Sequence, residues 1–226
     1  MQPTRRNVKK LLVAVLLAVT AAILPACETA PYLRQRGYEA FQTKQYEKAA
    51  QYFAKALDKD PSSWQSHYYQ GLIYLQEKRA LDAQLVLEMA LSIKTSELKT
   101  SDILDALAES LYQQNKAAAL HAILAEACDT HGTSDDFLRQ GRYLSLLGDA
   151  DNAKVAFEKA AHFDDRTDAG PYLAMADFYE SISDTESTVR ALRQALHLEP
   201  DNEQIHERLR RHGVIPGPTI ALPIEN

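Results

Sequence analysis

Two cysteines and seven histidines are the side chains most able to do nucleophilic or metal chemistry here. The histidines, at 67, 121, 131, 162, 197, 206 and 212, are scattered along the chain. None falls beside a cysteine or carboxylate at metal-ligand spacing. There is no phosphate-cradling glycine loop and no nucleophile elbow. Carboxylates are common, as solvated helix faces require. These residues predict no enzyme, no metal and no cofactor. Cys128 has no disulfide partner in view and reads as a small buried hydrophobe rather than a redox or dimer-forming thiol. Cys27 is different. It lies in "LPACET", directly after a long apolar run, where a thiol is either an attachment point or the end of a membrane helix.

The residues before Cys27 divide cleanly. "MQPTRRNVKK" is a basic opening, and "LLVAVLLAVTAAIL", residues 11–24, is an apolar core. A spanning helix needs roughly 20 apolar residues, so this core fits a secretory leader over 1–26 better. Leu24, Pro25, Ala26 and Cys27 resemble the lipobox of bacterial lipoproteins, with Pro25 departing from the usual small residue. The resemblance implies that the Cys27 thiol takes a diacylglycerol and becomes the new N-terminus. It also implies a palmitate-bearing protein anchored in the cell envelope and facing the periplasm. Glu28, rather than aspartate, favours the outer membrane in enteric sorting logic. An uncleaved anchor helix and a plain secretory cleavage after Ala26 are the alternatives.

These elements must carry a body of about 200 residues, a size that buries one substantial core. The chain has 226 residues, 46% hydrophobic and 25% charged, with only 8 glycines and 9 prolines. So few turn formers favour long helices over a β-sandwich. Net charge is −6, and residues 1–26 hold four cations and no acid, so residues 27–226 carry −10. An acidic body repels phosphate backbones and predicts no nucleic-acid partner.

The body repeats. "GYEAFQTKQYEKAAQYFAKALDKDP" and "GLIYLQEKRALDAQLVLEMALSIKT" align without gaps at a separation of 34, matching Gly37 to Gly71, Ala49 to Ala83, Phe53 to Leu87 and Ala56 to Ala90. A small residue at position 8, alanine at 20 and 27, a large residue at 24 and proline at 32 resemble the tetratricopeptide repeat (TPR). The resemblance implies an all-α, right-handed superhelix of antiparallel helix pairs. A three-residue tether, 27–29, leads into five repeats at 30–63, 64–97, 101–134, 134–167 and 169–202. Leu120, Thr188, Arg36 and Ala40 depart from the pattern. "DNEQIHERLRRHG" predicts a capping helix over 203–213, started by Asp201 or Asn202 and ended by Gly213. Residues 214–226, with three prolines, predict an extended tail, either loose or laid against something.

In TPR proteins the first helix of each repeat lines a concave groove, with positions 2, 5, 9 and 12 forming one stripe. Those positions are Arg34, Tyr38 and Phe41 in the first repeat, and Gln65, Tyr68, Leu72 and Leu75 in the second. In the third they are Asp102, Asp105, Glu109 and Tyr112, an acidic stretch. The fourth gives Asp135, Leu138, Arg142 and Ser145, and the fifth Leu173, Asp177 and Glu180. Arg34 and Tyr38 replace the Lys and Asn of the family's carboxylate clamp, which excludes an acidic C-terminal peptide as ligand. The resemblance thus implies a non-catalytic scaffold that binds a protein or peptide segment and no small-molecule substrate. TPR lipoproteins of similar length assist assembly of secretion, pilus or outer-membrane machines. An adaptor that presents substrates to an envelope hydrolase or protease is the alternative.

Overall fold

Helix pairs form here because a small residue on one helix meets a large one on its neighbour. Gly37 lies under the ring of Phe53, Gly71 under Leu87 and Gly141 under Phe157. A Cβ at those glycines would stand 2.8, 2.5 and 2.9 Å from the facing side chain. Ala108 and Leu124, and Ala176 and Leu192, fill the same places in the third and fifth pairs, all fully or nearly buried. Such contacts bring helix axes close enough for ridges to enter grooves.

The computed structural model describes residues 28–93, 100–164, 167–217 and 219–224. Among them are eleven helices and no strand: α1 (Ala30–Gln42), α2 (Tyr46–Lys59), α3 (Trp64–Gln76), α4 (Ala80–Ile93), α5 (Thr100–Gln113), α6 (Ala117–Thr130), α7 (Ser134–Leu146), α8 (Ala150–Phe163), α9 (Gly170–Ser181), α10 (Thr185–Leu198) and α11 (Glu203–Arg211). Each helix packs on the next. In addition α1, α3, α5, α7 and α9 touch one another in series, while no two even-numbered helices do. Helices α1, α3, α5, α7 and α9 are therefore the inner layer of a superhelix, and the even helices its outer layer. The core is a chain of clusters rather than one centre, as expected of a stacked array. None of these helices is long and apolar enough to cross a membrane. The predicted leader, residues 1–26, and Cys27 lie outside the described residues.

Caps set the boundaries. Thr29 accepts a hydrogen bond from the Tyr32 amide, and Pro31 falls in the first turn of α1. Thr133 and Asp136 form a reciprocal capping box on α7. Asn202, rather than Asp201, caps α11. The helices before Pro61 and Pro200 stop two residues short of each proline, at Lys59 and Leu198.

The turn within each pair has a recurrent form that its residue types conceal. Lys44, Lys78, Asn115, Gly148 and Ser183 all have positive φ, between 55° and 83°. Each donates its amide to the carbonyl three residues back, and the next residue donates to the carbonyl five back. This is the Schellman end of a helix, made once in each of the five pairs and again at Gly213 after α11, and within the pairs only Gly148 is the glycine that geometry favours. The other four carry the left-handed conformation at a cost of roughly 1 kcal/mol each.

Substitutions that departed from the repeat pattern are absorbed by packing. Leu120 is fully buried in the largest cluster, and Thr188 is buried with its hydroxyl donated to the Asp184 carbonyl. Arg36 lies over the Tyr52 ring, 5.8 Å from its centroid. The tail is laid down, not loose. Val214, Ile220, Ala221 and Ile224 pack against the last cluster, and the Leu222 amide donates to the Arg193 carbonyl at 3.0 Å. The Arg193 guanidinium donates to the Ile220 carbonyl. The described tail residues thus cover α10, on the outer layer rather than the inner one.

The turn geometry has a direct test. Ser183→Gly should raise stability by about 1 kcal/mol, and Ser183→Val should lower it by a similar amount, measured by urea unfolding. Equal stability of the three chains would mean the turn carries no left-handed strain.

Candidate functional site

The inner layer presents two adjoining cavities. The first, about 600 Å³, lies between α1, α3 and the start of α5. Tyr38, Phe41, Gln65, Tyr68 and Leu72 line it, joined by Tyr46, Trp64 and Tyr69. Tyr69 is the hub of this aromatic group. Its ring stacks on Phe53 at 5.3 Å, and Tyr38, Phe41 and Tyr68 meet it edge-on at 5.2 to 5.5 Å. Edge and offset contacts of this kind suit the ring quadrupoles and hold the rings in fixed orientation. Burial, and then the charges of Asp102 and Asp105, push the Tyr68 hydroxyl up to about 12, so it remains a hydrogen-bond donor.

The second cavity, about 620 Å³, runs across α5, α7 and α9. Carboxylates Asp102, Asp105, Asp135 and Asp177 form its rim with Arg142. Leu138, Leu146, Phe157, Ala174 and Phe178 form its floor. Asp102 lines both cavities, so the two meet at that carboxylate.

Not all of the sequence-predicted stripe reaches these cavities. Leu75 is 7% exposed and packs in the cluster with Ile103, Leu107 and Leu111. In the second repeat the next inner helix, α5, covers this position. Arg34 instead bonds Asp60 at 3.2 Å, tying α1 to the end of the first pair. Glu109 accepts from the Tyr143 hydroxyl at 3.1 Å, and the Tyr112 ring meets Tyr143 at 5.9 Å, so both serve the α5–α7 contact. Glu180 is held by Arg208 and His212 of the capping segment, at 3.2 and 3.1 Å. Asp177 also meets Arg208, at 2.8 Å, yet its side chain stays 69% exposed on the cavity rim.

The middle of the groove is less acidic than the sequence suggests, because of Arg139. This side chain is 2% exposed and makes four contacts. It donates to Asp105 at 2.7 Å, Asp136 at 2.8 Å, the Ser101 hydroxyl at 2.6 Å and the Ser101 carbonyl at 3.2 Å. Arg142, 56% exposed, reaches the same Asp105 oxygen at 3.0 Å. Arg139 follows Asp105 by one repeat period, as Tyr143 follows Glu109. Both pairs span the repeat period of 34 residues, one as an ion pair and one as a hydroxyl–carboxylate hydrogen bond. A single-helix stripe cannot show them, because the partners sit on successive inner helices.

No three metal-ligating side chains gather among the described residues. Cys128 is half-buried, and burial pushes its thiol up to about 11, so it stays protonated.

Residues 30–63 match the family model for the tetratricopeptide repeat. The fold is a TPR superhelix. Several solved TPR structures share it. That of YrrB, "a TPR protein with an unusual peptide-binding site", is 20% identical and superposes with a TM-score of 0.51, covering 84% of this chain and 97% of the other. A thermophilic TPR protein of Thermus thermophilus, TTC0263, is 16% identical, with a TM-score of 0.60 and coverage of 81% and 98%. The Pseudomonas aeruginosa protein pilF is 21% identical, with a TM-score of 0.56 and coverage of 81% and 91%. At these identities the likeness is one of fold. No curated protein matches the sequence.

The buried arginine gives the site a measurable signature. Arg139→Ala leaves Asp136 buried without its cation and should cost about 3 kcal/mol or more in urea unfolding. Arg142→Ala, at a solvated pair, should cost less than about 1 kcal/mol. Similar losses for both would remove Arg139 as the structural centre of the groove.

Proposed function

We propose that this TPR protein is a non-catalytic scaffold that binds a protein or peptide segment in its concave groove. The observation that carries the reading is the pair of adjoining cavities on the inner layer, roofless and lined by side chains from α1, α3, α5, α7 and α9. Rings and aliphatic chains held in place by their neighbours are good anchors, because little side-chain freedom is lost on contact. The cavity beside α10 of the outer layer, lined by Thr185, Val189, Arg190, Arg193 and Leu222, holds no aromatic ring. YrrB, of the same fold, carries a peptide-binding site, which supports the class of ligand.

The scaffold works at a membrane, tethered by a lipid on Cys27 on the periplasmic side of a bacterial envelope. The lipobox-like "LPAC" and the short apolar core support this reading. Only Glu28 and Thr29 separate Cys27 from α1, so a lipid there holds the first repeat close to the bilayer surface. Assistance in assembling an envelope machine fits such a placement, in which a membrane-held groove captures a segment of an incoming subunit.

Two experiments test these statements. A photo-crosslinking residue placed at Tyr68 or at Leu138 should capture the same envelope protein, and one at Leu85 of the outer layer should not. Tyr38→Ala with Tyr68→Ala should weaken that capture by about tenfold or more. Capture from Leu85 alone would remove the groove from the account. Separately, Cys27→Ala should abolish labelling by a palmitate analogue and leave an unprocessed chain. A labelled Cys27→Ala chain would exclude the lipid.

A further inference from the structure

The chemistry of the two cavities narrows what the groove takes, given the binding reading above. Asp102 belongs to both cavities, so an extended or helical segment seated in one continues past this carboxylate into the other. Four carboxylates line the second cavity with Arg142, and of these Asp105 also meets Arg139 and Asp177 meets Arg208. Arg142 is engaged by Asp105, and Arg139 holds Asp105 from behind, buried and out of a ligand's reach. Asp135, exposed in the first turn of α7, has no ion pair among the described residues. Asp177 remains open despite Arg208. The rim is thus preorganised and negative at the positions a ligand would meet.

Below the rim the surface is apolar. Leu146 is 52% exposed, and Leu138 and Phe178 lie beside it. A carboxylate rim over an aliphatic floor matches a side chain with an apolar stem and a cationic head. The first cavity, with its aromatic faces, takes an apolar side chain or the face-on approach of a cation. An anionic segment meets repulsion at Asp135 and at the exposed side chain of Asp177.

We propose that the groove's occupant is a cationic amphipathic segment of a partner protein. Its apolar side chain fills the aromatic cavity, and its lysine or arginine lies over Asp102 and Asp135. A further apolar side chain rests on Leu138 and Leu146. The acidic body, at −10 beyond the leader, steers such a segment toward the protein at low salt.

Three short fluorescent peptides separate this proposal from the binding reading on which it rests. They share one pattern of leucines and carry lysine, glutamine or glutamate at the polar positions, and are titrated against the folded chain by anisotropy. The lysine peptide should bind about tenfold or more tighter than the glutamine peptide, and the glutamate peptide weakest. Asp102→Asn with Asp135→Asn should bring the lysine peptide to the glutamine level, without altering helicity. Added salt should weaken only the lysine peptide. Equal binding of lysine and glutamine peptides, both weakened by Tyr38→Ala with Tyr68→Ala, overturns the charge preference and leaves the groove as a binding site. Lysine-peptide binding that ignores the tyrosine substitutions is adsorption to an acidic surface and also overturns the proposal. Failure of all three peptides, together with failed crosslinking from Tyr68 and Leu138, overturns both.

Discussion

The close approach of a small residue to a large one, repeated five times, is the constraint on which the molecule depends. A Cβ at Gly71 would stand 2.5 Å from Leu87, a distance no side chain tolerates. That contact sets the spacing of the two helices in a pair. The spacing sets how far the next pair is rotated, and repetition of that rotation curves the array. The groove follows from this. If each pair opened wider, the inner helices would no longer meet in series, and the two cavities would lose their shared wall at Asp102.

A second constraint works against the first. Antiparallel helices at this spacing need a tight turn, and the turn used here puts one residue of each pair in the left-handed region. Four of the five are not glycine. The array accepts the strain because both hydrogen bonds of the turn are made and the packing behind it is complete. The same logic applies at Arg139. Burying a guanidinium is costly, yet with Asp105, Asp136 and Ser101 around it the charge is met on every side. The result joins the third and fourth pairs and orients Asp105 at the groove.

The aromatic cavity was legible in large part. Tyr38, Phe41, Gln65, Tyr68 and Leu72 fall on the stripe that helical periodicity draws, and they line the cavity. Tyr69, its hub, was not legible, because it points between helices rather than along the stripe. The acidic half was legible as residues but not as charge. Asp102, Asp105 and Asp177 stand where expected, while Glu109 and Glu180 are spent on contacts with neighbouring inner helices or the cap. Which carboxylates stay available depends on partners one repeat away.

The order of residues alone determined the period of 34, the helix pairs, the small and large packing positions and the capping helix. All of these rest on contacts within a repeat or between its two helices, and local spacing encodes them. Tertiary structure alone decided the rest. It buried Leu75, paired Arg139 with Asp105, laid the described tail residues over α10 on the outer layer, and joined two cavities at Asp102. Each of these is a meeting between repeats or between the array and its end. Such meetings depend on the accumulated rotation of the stack, which no single stretch of residues contains.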